Sequence, residues 1–223
     1  MSDQLINAVY HGNLDLVKQS LDQRVNVNEI GPKPMYYTAL KFAVENNDAN
    51  MVELLLNRGA DPNLAFGSPQ ITPLFAFSRR MFRYGANVDQ PDITVALLLL
   101  EHGADPNHEY SQDIFGDTAL HYAVRFNWLS LIQMLLDFGA DRTVRNNAGQ
   151  TPYQLAIDHS YPEAANMLLN YYPAWTPATH LRRTTPEQRQ QIETMMHMRQ
   201  YEDTPLATMP PELMYQVFPY MTS

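Results

Sequence analysis

The chain has no cysteine, no long apolar run and few basic residues, and each shortage excludes a class of protein. Without cysteine there is no disulfide, no thiol nucleophile and no cysteine-ligated zinc site. No stretch approaches the roughly 18 to 20 consecutive apolar residues of a membrane span, so we expect no membrane partner. Basic residues number 15 against 24 acidic ones, a net charge of −9. Nucleic acid is therefore a poor partner, because phosphate binding requires a basic face.

Motifs for catalysis and ligand binding are equally scarce. The seven histidines include no His-Glu-x-x-His pair, and His102 and His108 flank a turn instead of sharing a helix face. There is no glycine-rich phosphate loop and no Gly-x-Ser-x-Gly motif. These absences favour a protein that is not an enzyme and takes no metal, cofactor or small-molecule ligand. The polar start of the chain, Met1-Ser2-Asp3-Gln4, does not resemble a secretory leader, so we expect a cytoplasmic protein.

What the sequence does contain is a repeated block. Three leucine-rich runs end in the same tripeptide, at Gly59-Ala60-Asp61, Gly103-Ala104-Asp105 and Gly139-Ala140-Asp141. Upstream of each lies a threonine followed by alanine or proline, at Thr38, Thr72 and Thr118, and a fourth copy begins at Thr151. The threonines are 34, 46 and 33 residues apart. Two of these spacings match a repeat of about 33 residues, and the long one predicts an insertion.

Local chemistry explains why these residue types recur. The hydroxyl of Thr38 is suited to cap a helix, and Pro73 and Pro152 fit the first helical position, where a missing N–H costs nothing. Gly59 suits the left-handed residue that ends a second helix. We therefore expect helix pairs near residues 38 to 57, 72 to 101, 118 to 137 and 151 to 170. Neither helix of a pair can bury its apolar face alone, so the pairs must stack.

This pattern resembles the ankyrin-repeat family, which implies an all-α solenoid of about five repeats. An N-terminal block without the threonine entry, containing Ala8 to Val17, is similar to the capping repeat of such arrays. We place the repeats at about 4–33, 34–67, 68–112, 113–145 and 146–172, within a domain of residues 1–172. The resemblance also implies a structural role for His121, whose imidazole would bond neighbouring turns.

The resemblance further implies a binding surface for a protein partner of unknown identity. Turns project as fingers and first helices line a concave face, so the residues before each threonine and those ending each first helix would point toward the partner. The positions so mapped are Met35, Tyr36, Tyr37, Glu45, Asn46, Ile114, Phe115, Asp117, Arg125, Phe126, Asn147, Gln150 and His159. Exposed aromatic residues flanked by charge are typical of binding hot spots. The alternative is that Tyr36 and Phe115 only pack between fingers.

The insertion lies between the two helices of the third repeat. The step from Thr72 to Ala96 is 24 residues, whereas the matching step from Thr38 to Val52 is 14. The sequence predicts an extended first helix, a stop at Gly85 and a loop. It carries Arg79, Arg80, Arg83 and Tyr84, a basic cluster able to receive an acidic segment of a partner. Alternatively, these arginines pair with Glu45, Glu53 or Glu101.

After Tyr172 the repeat pattern stops. Residues 173–184 form a proline-bearing connector, and a helical segment is predicted over 185–223, with a capping box at Thr185. From about residue 205 this segment resembles the first helix of an F-box, through Met209-Pro210-Pro211-Glu212-Leu213, Val217-Phe218 and Tyr220-Met221. The resemblance implies docking of a Skp-family adaptor of a cullin ubiquitin ligase through Pro210, Pro211, Leu213, Val217 and Phe218. A SOCS box is a neighbouring possibility, but its characteristic cysteine is absent.

Two functional hypotheses follow from the sequence, and a third class, a scaffold for self-association, stays open. In the first, the chain is a non-catalytic interaction module whose last helices only cover the end of the stack. In the second, it recruits a bound substrate to a ubiquitin ligase. The combination of ankyrin repeats with an abbreviated F-box is typical of large DNA viruses, and both modules recur in effectors of intracellular bacteria. The second hypothesis therefore includes an effector that acts in host cytoplasm.

Overall fold

A computed structural model describes residues 2–23, 25–31, 37–66, 71–84, 92–108 and 115–171, with the backbone alone at 2–3 and 80–84. Its described part contains ten α-helices and, apart from one isolated bridge between Phe66 and Ile71, no strand pairing. The helices form five consecutive pairs. They are α1 Ser2–Tyr10, α2 Leu14–Asp22, α3 Ala39–Asn46, α4 Ala49–Asn57, α5 Pro73–Tyr84, α6 Thr94–Glu101, α7 Ala119–Arg125, α8 Leu129–Asp137, α9 Pro152–Asp158 and α10 Pro162–Asn170. The all-α repeat architecture is thus confirmed.

The first helices begin where the threonine signals predict. The Thr38 hydroxyl accepts a hydrogen bond from the Lys41 amide at 3.2 Å. Thr118 and Thr151 each form a reciprocal capping box with the side chain three residues later. These caps satisfy amide groups that the first helical turn leaves without partners.

The helices also end where left-handed residues are tolerated. Gly59, Gly103 and Gly139, which follow the second helices, have φ of 88°, 90° and 89°. Such a backbone costs a residue with a Cβ roughly 1 kcal/mol or more, which explains why glycine recurs there. Asn47 and Asn127 take the same conformation after the first helices, where asparagine is the usual substitute for glycine.

The long spacing in the third block lengthens a first helix. Helix α5 has 12 residues, against eight in α3 and seven in α7. The predicted extension is therefore present, and it carries the helix as far as Tyr84. The predicted Gly85 stop and the following loop, residues 85–91, lie outside the described residues.

Packing joins each first helix to the first helix of the next pair, so α1, α3, α5, α7 and α9 make one row. Between this row and the second helices lies a continuous apolar core. Leu55, Leu99 and Leu135, which occupy equivalent positions in successive second helices, are all 0% exposed. All three belong to the one core that runs through the stacked helix pairs, so the repeats stabilise one another.

A ladder of asparagine side chains fastens the exit turns of successive repeats. In each rung, the side-chain amide donates to a glycine carbonyl in the next repeat, and the side-chain oxygen accepts from an aspartate amide there. The rungs run from Asn28 to Gly59 and Asp61, from Asn63 to Gly103 and Asp105, and from Asn107 to Gly139 and Asp141, at 2.6 to 3.0 Å. Each rung satisfies two backbone groups at the end of a helix.

The ladder stops at the fourth repeat. Thr143 stands where an asparagine would be, and its hydroxyl donates back to Asp141 at 2.7 Å. The contact with the fifth repeat is made instead by Arg142, whose Nη1 donates to the Leu168 carbonyl at 2.7 Å. In this fifth repeat, Ile157 and Leu169 are 52% and 61% exposed, although the equivalent residues of earlier repeats are buried. The last described helix pair therefore exposes apolar side chains at positions that are buried in the earlier repeats.

Candidate functional site

The finger of the fourth repeat contains a buried carboxylate. Asp117 lies just before the cap of α7 and is 0% exposed. Its Oδ2 accepts hydrogen bonds from Arg125 Nε and Nη2 at 3.0 and 2.6 Å, and its Oδ1 accepts one from Asn146 Nδ2 at 2.8 Å. Asp117 was predicted to point toward a partner. Its burial corrects that expectation, because the carboxylate faces inward and holds Arg125 in place.

Phe115 is the exposed aromatic residue of the same finger. The guanidinium carbon of Arg125 lies 4.5 Å from the centre of the Phe115 ring, a geometry that favours cation–π attraction. The Phe115 side chain is 38% exposed, and that of Arg125 is 19% exposed. The ring therefore packs on Arg125, and 38% of the Phe115 side chain stays exposed to solvent. Since Asp117 neutralises the guanidinium, this patch presents aromatic surface with little net charge.

The fourth finger is tied to the fifth at close range. The Asn147 amide donates to the Phe115 carbonyl at 2.8 Å. Gly116, the residue after Phe115, has φ of 61°, and a Cβ at this position would lie 2.5 Å from Asn147 Oδ1. The approach therefore requires glycine. The bond from Asn147 to the Phe115 carbonyl and the bond from Asn146 to Asp117 together fix the backbone of residues 115–117.

His121 forms a second tie between the fourth and fifth repeats. The imidazole is 0% exposed, and its Nδ1 accepts from the Thr118 amide at 3.2 Å while Nε2 donates to the Gln150 carbonyl at 3.0 Å. Burial lowers the pKa of His121, against the opposing effects of the Gln150 carbonyl and the Asp117 charge. The neutral imidazole matches both hydrogen bonds, so the side chain has the structural role that the resemblance implied.

The second repeat repeats the arrangement of cation, aromatic ring and carboxylate with other residues. Lys41 Nζ lies 3.3 Å from the centre of the Tyr37 ring and 2.6 Å from Glu45 Oε2. The lysine is 4% exposed, whereas the Glu45 side chain is 28% exposed. Lys41 of the first helix thus packs on the aromatic ring of the finger residue Tyr37, and Glu45 neutralises the charge of the lysine. Glu45 and Tyr37 were both predicted to lie on the partner surface.

Tyr10 extends this site into the first repeat and was missed by sequence reasoning. Its ring meets those of His11 and Phe42 edge to face at 5.1 and 5.3 Å, and Phe42 meets Tyr37 in the same way at 5.1 Å. We call these four side chains the aromatic strip. Tyr10 stands two residues before the positive-φ residue Gly12, and Glu45 stands two residues before the equivalent residue Asn47. Mapping the helix ends in the first repeat as well would therefore have found Tyr10.

The other predicted residues fall into three groups. Phe126 is half-buried against Phe75 and Tyr122, whereas His159 is exposed and stacks on Tyr161. Arg79 is half-buried in α5; Arg80, Arg83 and Tyr84 also lie on α5, but their side chains are outside the described part. Asn46 is exposed and Gln150 is half-buried. Outside the described residues altogether lie Met35, Tyr36, Ile114 and the adaptor-docking residues Pro210, Pro211, Leu213, Val217 and Phe218.

The described residues offer neither a metal site nor a membrane span. They contain no cluster of three or more histidine, cysteine, aspartate or glutamate side chains that could hold a metal ion. No helix in this part of the chain is both long enough and apolar enough to cross a bilayer.

Comparison with known families agrees with this architecture. A family model described as ankyrin repeats in three copies matches residues 3–75 and 84–176, which is more than half of the chain. The chain belongs to the ankyrin-repeat family. Ankyrin repeats form a protein–protein interaction fold.

Individual relatives share parts of this ankyrin array. The chain is 30% identical to a mitochondrial disaggregase of Bos taurus over 153 residues, which is 68% of this chain and 20% of that protein. It is 46% identical to an ankyrin repeat domain-containing protein of cowpox virus over 59 residues, 26% of this chain and 9% of the viral protein. It is 48% identical to the ankyrin repeat and SOCS box protein 11 of Danio rerio over 44 residues, 20% of this chain and 15% of that protein. Each match therefore covers a fifth or less of the relative.

Proposed function

We propose that the chain is a non-catalytic module that binds a partner protein through its fingers and the ends of its first helices. The observation that carries this proposal is the Phe115 site. Its ring is held from below by Arg125, and its backbone is held by Asn147. An aromatic side chain fixed before binding loses little conformational freedom when a partner covers it, which is the property of an efficient hot spot.

The proposed surface continues along the row of first helices. Tyr37 at one finger and Phe126 and His159 at helix ends add aromatic area, and Arg125 adds hydrogen-bond donors. Arg79 stands on the long helix α5 between these sites, in the sequence cluster with Arg80, Arg83 and Tyr84. Tyr36, which precedes Tyr37 in the chain, belongs to the same proposed surface. We propose that the cluster of Arg79, Arg80 and Arg83 receives an acidic segment of the partner.

We predict that Phe115→Ala lowers partner affinity at least tenfold while lowering the free energy of unfolding by no more than about 2 kcal/mol, because 38% of the side chain is exposed. The partner is first identified by cross-linking to the wild-type chain, and its dissociation constant is then measured by calorimetry with each variant. Leu169→Ala is the matched control, since this side chain is 61% exposed but lies on a second helix. If both variants lose affinity equally, the finger is not the binding surface.

A second candidate function is recruitment of the bound protein to a cullin ubiquitin ligase through residues 205–223. Two observations favour it: the F-box-like Pro210-Pro211-Glu212-Leu213 pattern and the similarity to a protein named for its SOCS box. The similarity to a cowpox virus protein supports a host-cytoplasm effector, and we propose a cytoplasmic location. Capture by a purified Skp-family adaptor, compared between the whole chain and one ending at Asp203, tests this function. Capture that requires residues after Asp203 supports it; no capture by the whole chain, together with a lower melting temperature on truncation, leaves the interaction module alone.

A further inference from the structure

The aromatic strip has an exposed ring, that of Tyr10, at the N-terminal end of the first-helix row. Tyr10 is 58% exposed, more than Phe115 at 38%. Its edge-to-face contacts with His11 and Phe42 leave ring surface uncovered. The face of an aromatic ring carries partial negative charge, so it attracts cations as well as apolar groups.

The strip already binds one cation, from its own chain. Lys41 Nζ lies 3.3 Å from the Tyr37 ring centre and 4.4 Å from that of Phe42. The charge of this lysine is matched by Glu45 at 2.6 Å. The side chain of Tyr10 holds no such cation among the described residues. Its own helix, α1, has no basic residue, whereas Phe115 stacks on Arg125.

The net charge of the N-terminal part of the chain also favours a cation. Residues 1–66 contain eight acidic and five basic residues, so their net charge is 5 − 8 = −3. Charge of this sign attracts a basic segment over distances of about a Debye length, roughly 10 Å at 0.1 M salt. A positively charged partner side chain that lies on Tyr10 therefore gains from the aromatic ring and from the net negative charge of residues 1–66.

We propose that Tyr10 receives an arginine or lysine side chain from a basic segment of the partner protein. This inference rests on the proposed function, because it specifies the chemistry of the partner at one end of the interaction surface. At the fourth finger the cation comes from this chain, and at Tyr10 it comes from the partner. The two ends of the surface therefore recognise different groups.

The test uses three blocked tripeptides as probes, Leu-Arg-Leu, Leu-norleucine-Leu and Leu-Glu-Leu, added to the full chain at neutral pH. NMR titration follows the backbone amide resonances of residues 8–12, which wild type and every variant share. We expect the arginine peptide to shift these resonances at lower concentration than either of the others. Tyr10→Leu should weaken binding of the arginine peptide about two- to fivefold, whereas Tyr10→Phe, which keeps the ring, should bind within about twofold of wild type.

Ile30→Ala serves as the control, because Ile30 is an apolar side chain with 44% exposure outside the strip. The inference is overturned if the norleucine or glutamate peptide acts as strongly as the arginine peptide, or if Tyr10→Leu binds it like wild type. If Phe115→Ala nevertheless lowers the affinity for the partner protein, the proposed function stands although the inference about Tyr10 fails. Failure of both experiments would reject the interaction surface as a whole.

Discussion

Asp117→Ala is expected to lower the free energy of unfolding by about 3 kcal/mol. Removing one member of a buried ion pair leaves the other without compensation, which typically costs about 3 to 5 kcal/mol. We place the effect at the lower end because Arg125 keeps 19% exposure and can recover some hydration. The Asn146 amide would lose its acceptor in the same step. Urea unfolding measures the total, and hydrogen exchange at residues 146–150 locates it.

Two variants separate this result from a general effect of charge. Asp22→Ala removes the ion pair between Asp22 and Arg58. Because the Asp22 side chain is 69% exposed, the free energy of unfolding should fall by less than about 1 kcal/mol. Asp117→Asn keeps the shape and one acceptor oxygen, so its cost should lie between those of wild type and alanine. If Asp117→Ala is as mild as Asp22→Ala, the buried carboxylate does not hold the fourth and fifth repeats together.

Most of the fold could be predicted from the sequence because its signals are local. A threonine cap, a proline in the first turn and a terminal glycine each act within a few residues, and the four predicted helix pairs contain α3 to α10. Leu55, Leu99 and Leu135 each stand four residues before the repeated glycine, and all three are buried. The asparagine ladder was not predicted, although Asn63 and Asn107 stand two residues after the repeated aspartate.

The site was harder to predict because its contacts join residues that are distant in sequence. Mapping by motif position placed Phe115, Asp117 and Arg125 on one surface but could not show that Asp117 turns inward. That orientation depends on Asn146, which is 29 residues away and belongs to the next repeat. Tyr10 was missed for a simpler reason, since the first repeat lacks the threonine from which positions were counted.

Leu135→Ala is expected to destabilise the array by about 2 to 5 kcal/mol. The side chain is 0% exposed in α8, so truncation loses its transfer free energy and leaves a cavity that the packed helices cannot fully close. Because repeats in a solenoid are stabilised by their neighbours, the loss should appear first in the fourth and fifth repeats. Thermal unfolding measures the size of the effect, and amide hydrogen exchange measures its distribution along the chain.

The matched control is Leu169→Ala, which makes the same chemical change one position beyond the equivalent site in α10. Leu168 holds that equivalent site and is buried, whereas Leu169 is 61% exposed, so its truncation should change stability by no more than about 0.5 kcal/mol. Leu55→Ala provides the mirror case, with exchange protection lost first around the second repeat. Uniform loss of protection in both core variants would mean that the five helix pairs unfold as a single unit, and the nearest-neighbour account of their stability would then be wrong.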